Sequence, residues 1–336
     1  MIPSPTMAIL FVDGVNDQSQ VGITLNDKGE VGYLIDGNCS VHNRLPLRQD
    51  VAASLMIFGK GVKQRSVEFR KLPSLIFNQI ADADSHRGAL ERCVELCEQV
   101  NTTVINHPRK VLRTSRDQVS QKLQGIPGVI MPRTQCFQPS SPEEVFSRAT
   151  AERFEFPFII RMAGLHGGQS MIKVNGREDC AALHALPFDG RNFYLTEYVH
   201  LRDEQGLYHK QRIAVIDGEP VLRHAMYDSD WKIHSGSRAF MMARDSWEVE
   251  FAYFDRFDKG LLPPMRPAID EITGRLQLEY YGIDCALQPD GQMVVFEANA
   301  NMNFLYNPYD VIQYRVDVIV DRLHKMLTRY SGERVI

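Results

Sequence analysis

Short apolar runs alternate with an amphipathic stretch along the first third of the chain. Residues 8–12, 54–58, 75–78 and 103–106 are brief runs of the strand type. Between them, residues 86–100 set Leu90, Cys93, Val94, Cys97 and Val100 on one helical stripe. Ile23-Thr-Leu and Val31-Gly-Tyr-Leu-Ile flank Asn26-Asp-Lys-Gly and read as a hairpin. Strands alternating with helices predict an α/β unit over residues 1–106. The Gly59-Lys-Gly pair lacks the rest of a phosphate-loop motif and reads as a turn.

Beyond Asn106-His-Pro-Arg the pattern changes. Ser115 opens a short helix over 115–124, with Val119 and Leu123 inward. Gly125-Ile-Pro-Gly breaks it and leads into a strand, and Ser140-Ser-Pro-Glu-Glu-Val opens another helix. Residues 156–161 form a strand ending in Arg161, and residues 194–199 a strand that carries Glu197. Residues 211–223 are a hairpin turning at Asp217-Gly218, followed by a helix over 263–279. Residues 281–299 read as strand, Pro289-Asp-Gly turn and second strand. The last helix places Ile312, Val316, Ile319, Val320, Leu323, Met326 and Leu327 on one face, which is core.

At 336 residues the chain suits two or three packed units. A net charge of −4 gives no nucleic-acid footprint, no apolar run reaches membrane-spanning length, and residues 1–7 lack the character of a signal peptide. Six scattered cysteines point to reduced thiols and a cytoplasmic location. Cys93 and Cys97, one helical turn apart, suit either two small core residues or a redox or metal pair with no Cys/His partner in view.

Candidate chemistry concentrates in the terminal hairpin. Asp284 lies on its first strand, and Glu297 and Asn299, two apart, share a face of its second. Together they are hard oxygen ligands of the kind Mg²⁺ takes. Glu297 follows the apolar run Met293-Val-Val-Phe, an odd place for a carboxylate without a cation. A polar strand end facing water is the alternative. Arg161 runs into Gly164-Leu-His-Gly-Gly-Gln-Ser170, whose glycines would let backbone amides approach phosphate oxygens; a plain hairpin turn has the same composition. His166 in that turn could touch phosphate or be inert.

The order of these pieces resembles the ATP-grasp superfamily: a strand ending in Arg161, a glycine loop, the Glu197-Tyr-Val strand, the Arg212 strand, then the Asp284…Glu297-Ala-Asn299 hairpin. Within it, Arg212-Ile-Ala-Val-Ile-Asp-Gly-Glu-Pro-Val is similar to the glutathione synthetase and ribosomal-protein glutamate ligase branch. The resemblance runs from about residue 75 to 328. It implies an α+β, ATP-grasp fold of two lobes enclosing ATP, preceded by an α/β domain. The expected division is 1–110 for the leading domain, 111–196 for the small lobe with its linker helix, and 197–336 for the large lobe.

The resemblance also implies roles. Arg161 would bind phosphate in place of the family's usual Lys, under a lid of Gly167, Gly168, Gln169 and Ser170. Glu197, Tyr198 and Val199 would bind adenine. Arg161 and Arg212 would be catalytic cations at the transferred phosphoryl group. Asp284, Glu297 and Asn299 would hold one or two Mg²⁺, with Mn²⁺ as a substitute. The implied reaction is ATP-dependent carboxylate–amine ligation through an acylphosphate, on a small-molecule, amino-acid or peptide substrate, and family analogy points to a homodimer. A small-molecule kinase and a non-catalytic nucleotide-binding protein are the alternatives. Two departures stand out. Arg116-Asp117-Gln118 replaces the family's early Lys, and Trp231-Lys-Ile-His-Ser-Gly-Ser-Arg238 replaces an Arg-x-Asn element. Lys232, His234, Arg238 and Asn301 are the candidate substrate contacts.

Overall fold

A computed structural model describes residues 7–25, 29–60, 72–165, 167–244, 247–288 and 290–332. The leading sheet contains β1 (Met7–Gly14), β4 (Val51–Phe58), β5 (Leu75–Asn78) and β6 (Thr103–Ile105), while β2 (Gly22–Leu25) and β3 (Val31–Leu34) form a separate hairpin. The sheet order is β4-β1-β5-β6, and every pairing in it is parallel. Central β1 and β5 are the continuous apolar runs that a parallel sheet covered on both faces requires. The helix Arg87–Gln99 covers one face with Ala89, Leu90 and Cys93. The tip of the β2–β3 turn, and Gly61 of the Gly-Lys-Gly pair, lie outside the described residues.

The second sheet is antiparallel: β8 (Thr134–Phe137), β9 (Phe158–Met162), β10 (Met171–Val174) and β11 (Phe193–Glu197), in the order β10-β9-β11-β8. Val145, Phe146 and Ala149 of the helix Pro142–Ala151 pack on it. The short β7 (Val129–Ile130) belongs elsewhere and runs parallel to the last strand of the third sheet. That sheet holds β12 (Tyr208–Ile216), β13 (Glu219–Asp228), β14 (Tyr280–Leu287) and β15 (Met293–Ala300), in the order β13-β12-β14-β15-β7.

The terminal helix Gln313–Gly332 joins the first and third sheets. Its Val316, Ile319, Leu323, Met326 and Leu327 share one core with Ile9 and Phe11 of β1 and Ala214 and Ile216 of β12, while Val320 packs at its margin. This is the face expected from the sequence, except that Ile312 sits in a preceding 3₁₀ turn. Two helices, Ser237–Met242 and Trp247–Arg256, have no counterpart in the sequence reading.

A buried asparagine pair welds the leading sheet to β14. Asn106, in the left-handed region (φ 51°), accepts from the backbone N–H groups of Glu279 (2.9 Å) and Tyr280 (3.0 Å) through Oδ1. Its Nδ2 donates to Tyr280 O and to Asn301 Oδ1 (2.6 Å). Asn301 Nδ2 in turn donates to Ile80 O at 2.8 Å. Asn tolerates positive φ better than most residues, so it can sit here and still satisfy the buried backbone groups.

Candidate active site

A cavity of about 570 Å³ opens where the three sheets meet. The leading domain contributes Asp82 and Asp84 to its wall, the second sheet Arg161, Gly167 and Gly168, and the third Lys210, Arg212, Asp284, Glu297 and Asn299. Tyr194 Oη of β11 donates to Asp84 Oδ1 at 2.6 Å, so the second sheet is tied to the segment that follows β5.

The β14–β15 hairpin sets Asp284 opposite Glu297 and Gly282 opposite Asn299. A bulge between Asp284 and Cys285 skips Phe296. The extra residue breaks simple alternation, leaves Phe296 37% exposed and turns Glu297 to the cavity. Asp284 receives a fork from its cross-strand partner Arg212, Nε at 2.6 Å and Nη2 at 2.8 Å, and Lys210 Nζ lies at 3.2 Å. Glu297 is paired with Arg116, which reaches across from the helix Arg116–Leu123. The side-chain amide of Asn299 makes no hydrogen bond with a described residue.

These pairings fix protonation. Burial pushes the Asp284 carboxyl up, but Arg212 and Lys210 together more than reverse it and hold the group well below the usual carboxylate range. Burial likewise opposes ionisation of Glu297, and the charges of Arg116, Arg161 and Lys210 outweigh it, so Glu297 also lies low.

Arg161 brings a buried, unsatisfied donor to the cavity. Only 8% of it is exposed; it donates through Nη2 to Leu165 O, and its buried Nε has no hydrogen-bond partner among the described residues. Burial, reinforced by the nearby Arg116 charge, brings its pKa down to about 10. The turn beyond it runs through positive φ at Gly164 (72°), Gly167 (67°), Gly168 (75°) and Ser170 (51°). A Cβ on Gly168 would lie 3.0 Å from Lys232 Cδ, so the glycine turn rests against the opposite wall.

No protein-family model matches this sequence, and no curated protein matches it either. Solved structures do. A D-alanine–D-alanine ligase from Coxiella burnetii superposes with a TM-score of 0.59 at 11% identity, covering 97% of this chain and 95% of that one. The D-alanine–D-alanine ligase from Bacillus anthracis gives 0.58 at 12% identity, with 97% of each chain covered. A RimK-domain ATP-grasp protein from Sphaerobacter thermophilus gives 0.54 at 12% identity, covering 97% of this chain and all (100%) of that one. The chain has the ATP-grasp fold.

Within the ATP-grasp fold, the residues singled out from the sequence separate into three groups. Arg161, Gly167, Gly168, Arg212, Asp284, Glu297 and Asn299 converge on one cavity, with Tyr198, Val199, Lys232 and His234 along its rim and walls. Tyr198 is hemmed in by Trp231, at a ring separation of 5.9 Å, and by Lys173 Nζ at 4.9 Å. A second group lines the cavity with side chains already engaged. Glu197 accepts from Arg133 Nε (3.0 Å) and Arg133 N (2.9 Å), which anchors the end of β11 and leaves its carboxylate little freedom for a ligand. Asn301 spends its amide on Asn106 and Ile80, which corrects its reading as a substrate contact. Third, Gln169, Ser170 and Arg238 do not line the cavity. Arg238 is buried in an ion pair with Glu250 and stacked over Trp247 at 5.0 Å; it is a structural cation rather than a substrate contact. His166 lies outside the described residues.

Two residues were missed. Lys210 sits two positions before Arg212 on the same strand, and alternation alone puts both on one face. Arg116 was noted only as a departure, yet it reaches the cavity and Glu297.

Proposed function

We propose that this chain is an ATP-dependent carboxylate–amine ligase of the acid–amino-acid type. The observation that carries the reading is Arg161, a buried guanidinium with an unpartnered Nε, facing the same cavity as Asp284, Glu297 and Asn299. A buried unsatisfied donor costs about 1–3 kcal/mol, more when charged, so the pocket is arranged for an anion that completes it. Beside the hairpin, Arg116, Arg161, Lys210 and Arg212 gather around Asp284 and Glu297, while Asp82, Asp84 and Glu197 stand elsewhere on the wall, so positive charge is concentrated locally where a triphosphate would lie.

The donor set fits a hard divalent cation: two carboxylates held ionised and one free amide oxygen. Mg²⁺, when bound there, would screen the triphosphate and polarise its γ-phosphoryl group. The chain's own residues do the rest. Arg161 and the amides of Gly167 and Gly168 take phosphate oxygens, and the backbone at Tyr198 and Val199 takes the adenine edge. Arg212 and Lys210 hold Asp284 ionised; Arg116 does the same for Glu297. A substrate carboxylate, placed at the end lined by Lys232 and His234, attacks the γ-phosphorus and ADP leaves. A neutral amine then adds to the acyl carbon, phosphate leaves with the C–O bond pair, and the nitrogen gives up one proton to solvent, forming the amide. Such chemistry rests on positioning and charge neutralisation more than on a protein nucleophile. In this reading residues 1–110 are the leading domain, 111–196 the small lobe and 197–336 the large lobe, with β7 crossing to the large sheet.

The test is product analysis. The full chain is incubated with ATP, Mg²⁺ and pooled amino acids and dipeptides. ADP release that needs both a carboxylate and an amine, with hydroxylamine trapping a hydroxamate, supports the ligase. A phosphorylated substrate without hydroxamate replaces it with a kinase. No turnover, with nucleotide binding indifferent to Glu297→Ala, replaces it with a binding protein.

A further inference from the structure

Outside the nucleotide cavity, one cluster brings a thiol, an imidazole and a carboxylate together. Cys180 and His184 lie four residues apart on one short helical turn; the turn Cys180–Leu183 continues into His184, whose backbone remains helical (φ −63°, ψ −14°). That spacing places both side chains on the same face. Glu143 comes from a different element, the first turn of the helix Pro142–Ala151, which Ser141 caps by accepting from Glu144 N at 3.3 Å. One ligand atom from each of the three lies within 4.8 Å of the others. None of the three lines the cavity described above.

We propose that Glu143, Cys180 and His184 form a binding site for a borderline-soft divalent ion of the zinc type, with a fourth position left to solvent. The donor chemistry selects the ion: a thiolate and an imidazole suit Zn²⁺ and Co²⁺ and are poor ligands for Mg²⁺ or Ca²⁺. The geometry is close to what such an ion needs. Metal–ligand distances of about 2.0–2.3 Å set tetrahedral donor separations at roughly 3.3–3.8 Å. Glu143 and His184 are exposed; the Glu143 carboxylate accepts from its own backbone N–H and from the Ser141 hydroxyl, contacts a rotation toward the ion would exchange for it, whereas Cys180 is half-buried against the core cluster that contains Val174 and Leu183. Binding would clamp the turn Cys180–Leu183 to the helix Pro142–Ala151 and so brace the lobe that carries Arg161 and the glycine turn.

Cobalt is the probe. The chelator-treated full chain is titrated with Co²⁺ in a large excess of Mg²⁺ and without nucleotide, so the outcome does not depend on the ligase reading. One equivalent should bind with a sulfur-to-cobalt charge-transfer band, and Zn²⁺ should displace it. Cys180→Ser should abolish the band. His184→Ala and Glu143→Ala, both at exposed positions where the fold does not depend on the side chain, should each raise Kd roughly tenfold or more. Cys136→Ser, at the exposed cysteine, is the control and should leave the titration unchanged. No saturable band, a band that survives Cys180→Ser, or affinity indifferent to both His184→Ala and Glu143→Ala overturns the site.

Discussion

Replacing Glu297 by Gln separates the two tasks assigned to that residue. The carboxylate is the counter-charge of Arg116, and the pair is largely withdrawn from water, with side-chain exposures of 17% and 19%. Breaking a fully buried pair costs about 3–5 kcal/mol and a surface pair about 0–1 kcal/mol. At roughly one-fifth exposure, with Gln still able to accept one hydrogen bond, the expected loss is about 2–3 kcal/mol. Two guanidiniums, Arg116 and Arg161, would then face the cavity without that counter-charge, so metal-free ATP should bind Glu297→Gln at least as well as the native chain. Turnover should fall by about 100-fold or more, because even an outer-shell metal partner is worth roughly 10–100-fold. Urea unfolding, calorimetric ATP binding in EDTA and ADP release in Mg²⁺ measure the three quantities. A double-mutant cycle with Arg116→Met should recover most of the stability and none of the activity. If Glu297→Gln turned over ATP at the native rate, or if Arg116→Met and Glu297→Gln destabilised additively, the paired-carboxylate account would fail.

Asn106→Ala would strand the buried acceptor and donors that its amide satisfies and place Ala at φ 51°, so we expect a loss of at least about 3 kcal/mol in urea; a loss below about 1 kcal/mol would refute the weld between the leading sheet and β14. Arg238→Met leaves Glu250 buried without its cation, an expected cost of about 3–5 kcal/mol, while KM for every substrate should stay unchanged in the folded fraction; a raised KM at unchanged stability would return Arg238 to the substrate site. Burial first, then the Arg212 charge opposite, holds His224 well below its ordinary pKa. The unfolded chain therefore binds a proton that the folded one does not, and stability should fall below about pH 6.5 by up to about 1.4 kcal/mol per pH unit. His224→Asn should flatten that slope, read from urea midpoints between pH 5 and 7 (from about 1.5 units below the ordinary value to about half a unit above it).

The third sheet was legible because its chemistry interrupts apolar runs. Glu297 after Met293-Val-Val-Phe stands out, and the Asp-Gly turn of β12–β13 fixes its own hairpin. What stayed hidden depends on distant partners. Arg116 meets Glu297 across 181 positions, so no local pattern announces it. Arg238 reads as one more cation in a basic segment until the helix Trp247–Arg256, which the periodicity did not reveal, brings Glu250 against it. Asn301 follows Glu297 and Asn299 in sequence, but positive φ (52°) and the Asn106 contact turn its amide inward. The Phe296 bulge is equally silent, because a skipped register position leaves the residue types unchanged.

The charge arrangement also constrains where pH sensitivity of the reaction can come from. Asp284 and Glu297 both lie below the ordinary carboxylate range in the folded chain, so neither gains a proton on lowering the pH from neutral to about 5. Arg161, although pushed down to about 10, stays charged over the same interval. None of the groups assigned to phosphate or metal therefore titrates near neutrality. A pH-dependent rate between about 6 and 9 is then expected from the proton on the attacking amine. The rising limb should then follow the amine's own pKa when amines of different basicity are compared. A limb that stays fixed across such a series would instead point to a general base in the protein, to be sought among the side chains of the acceptor end.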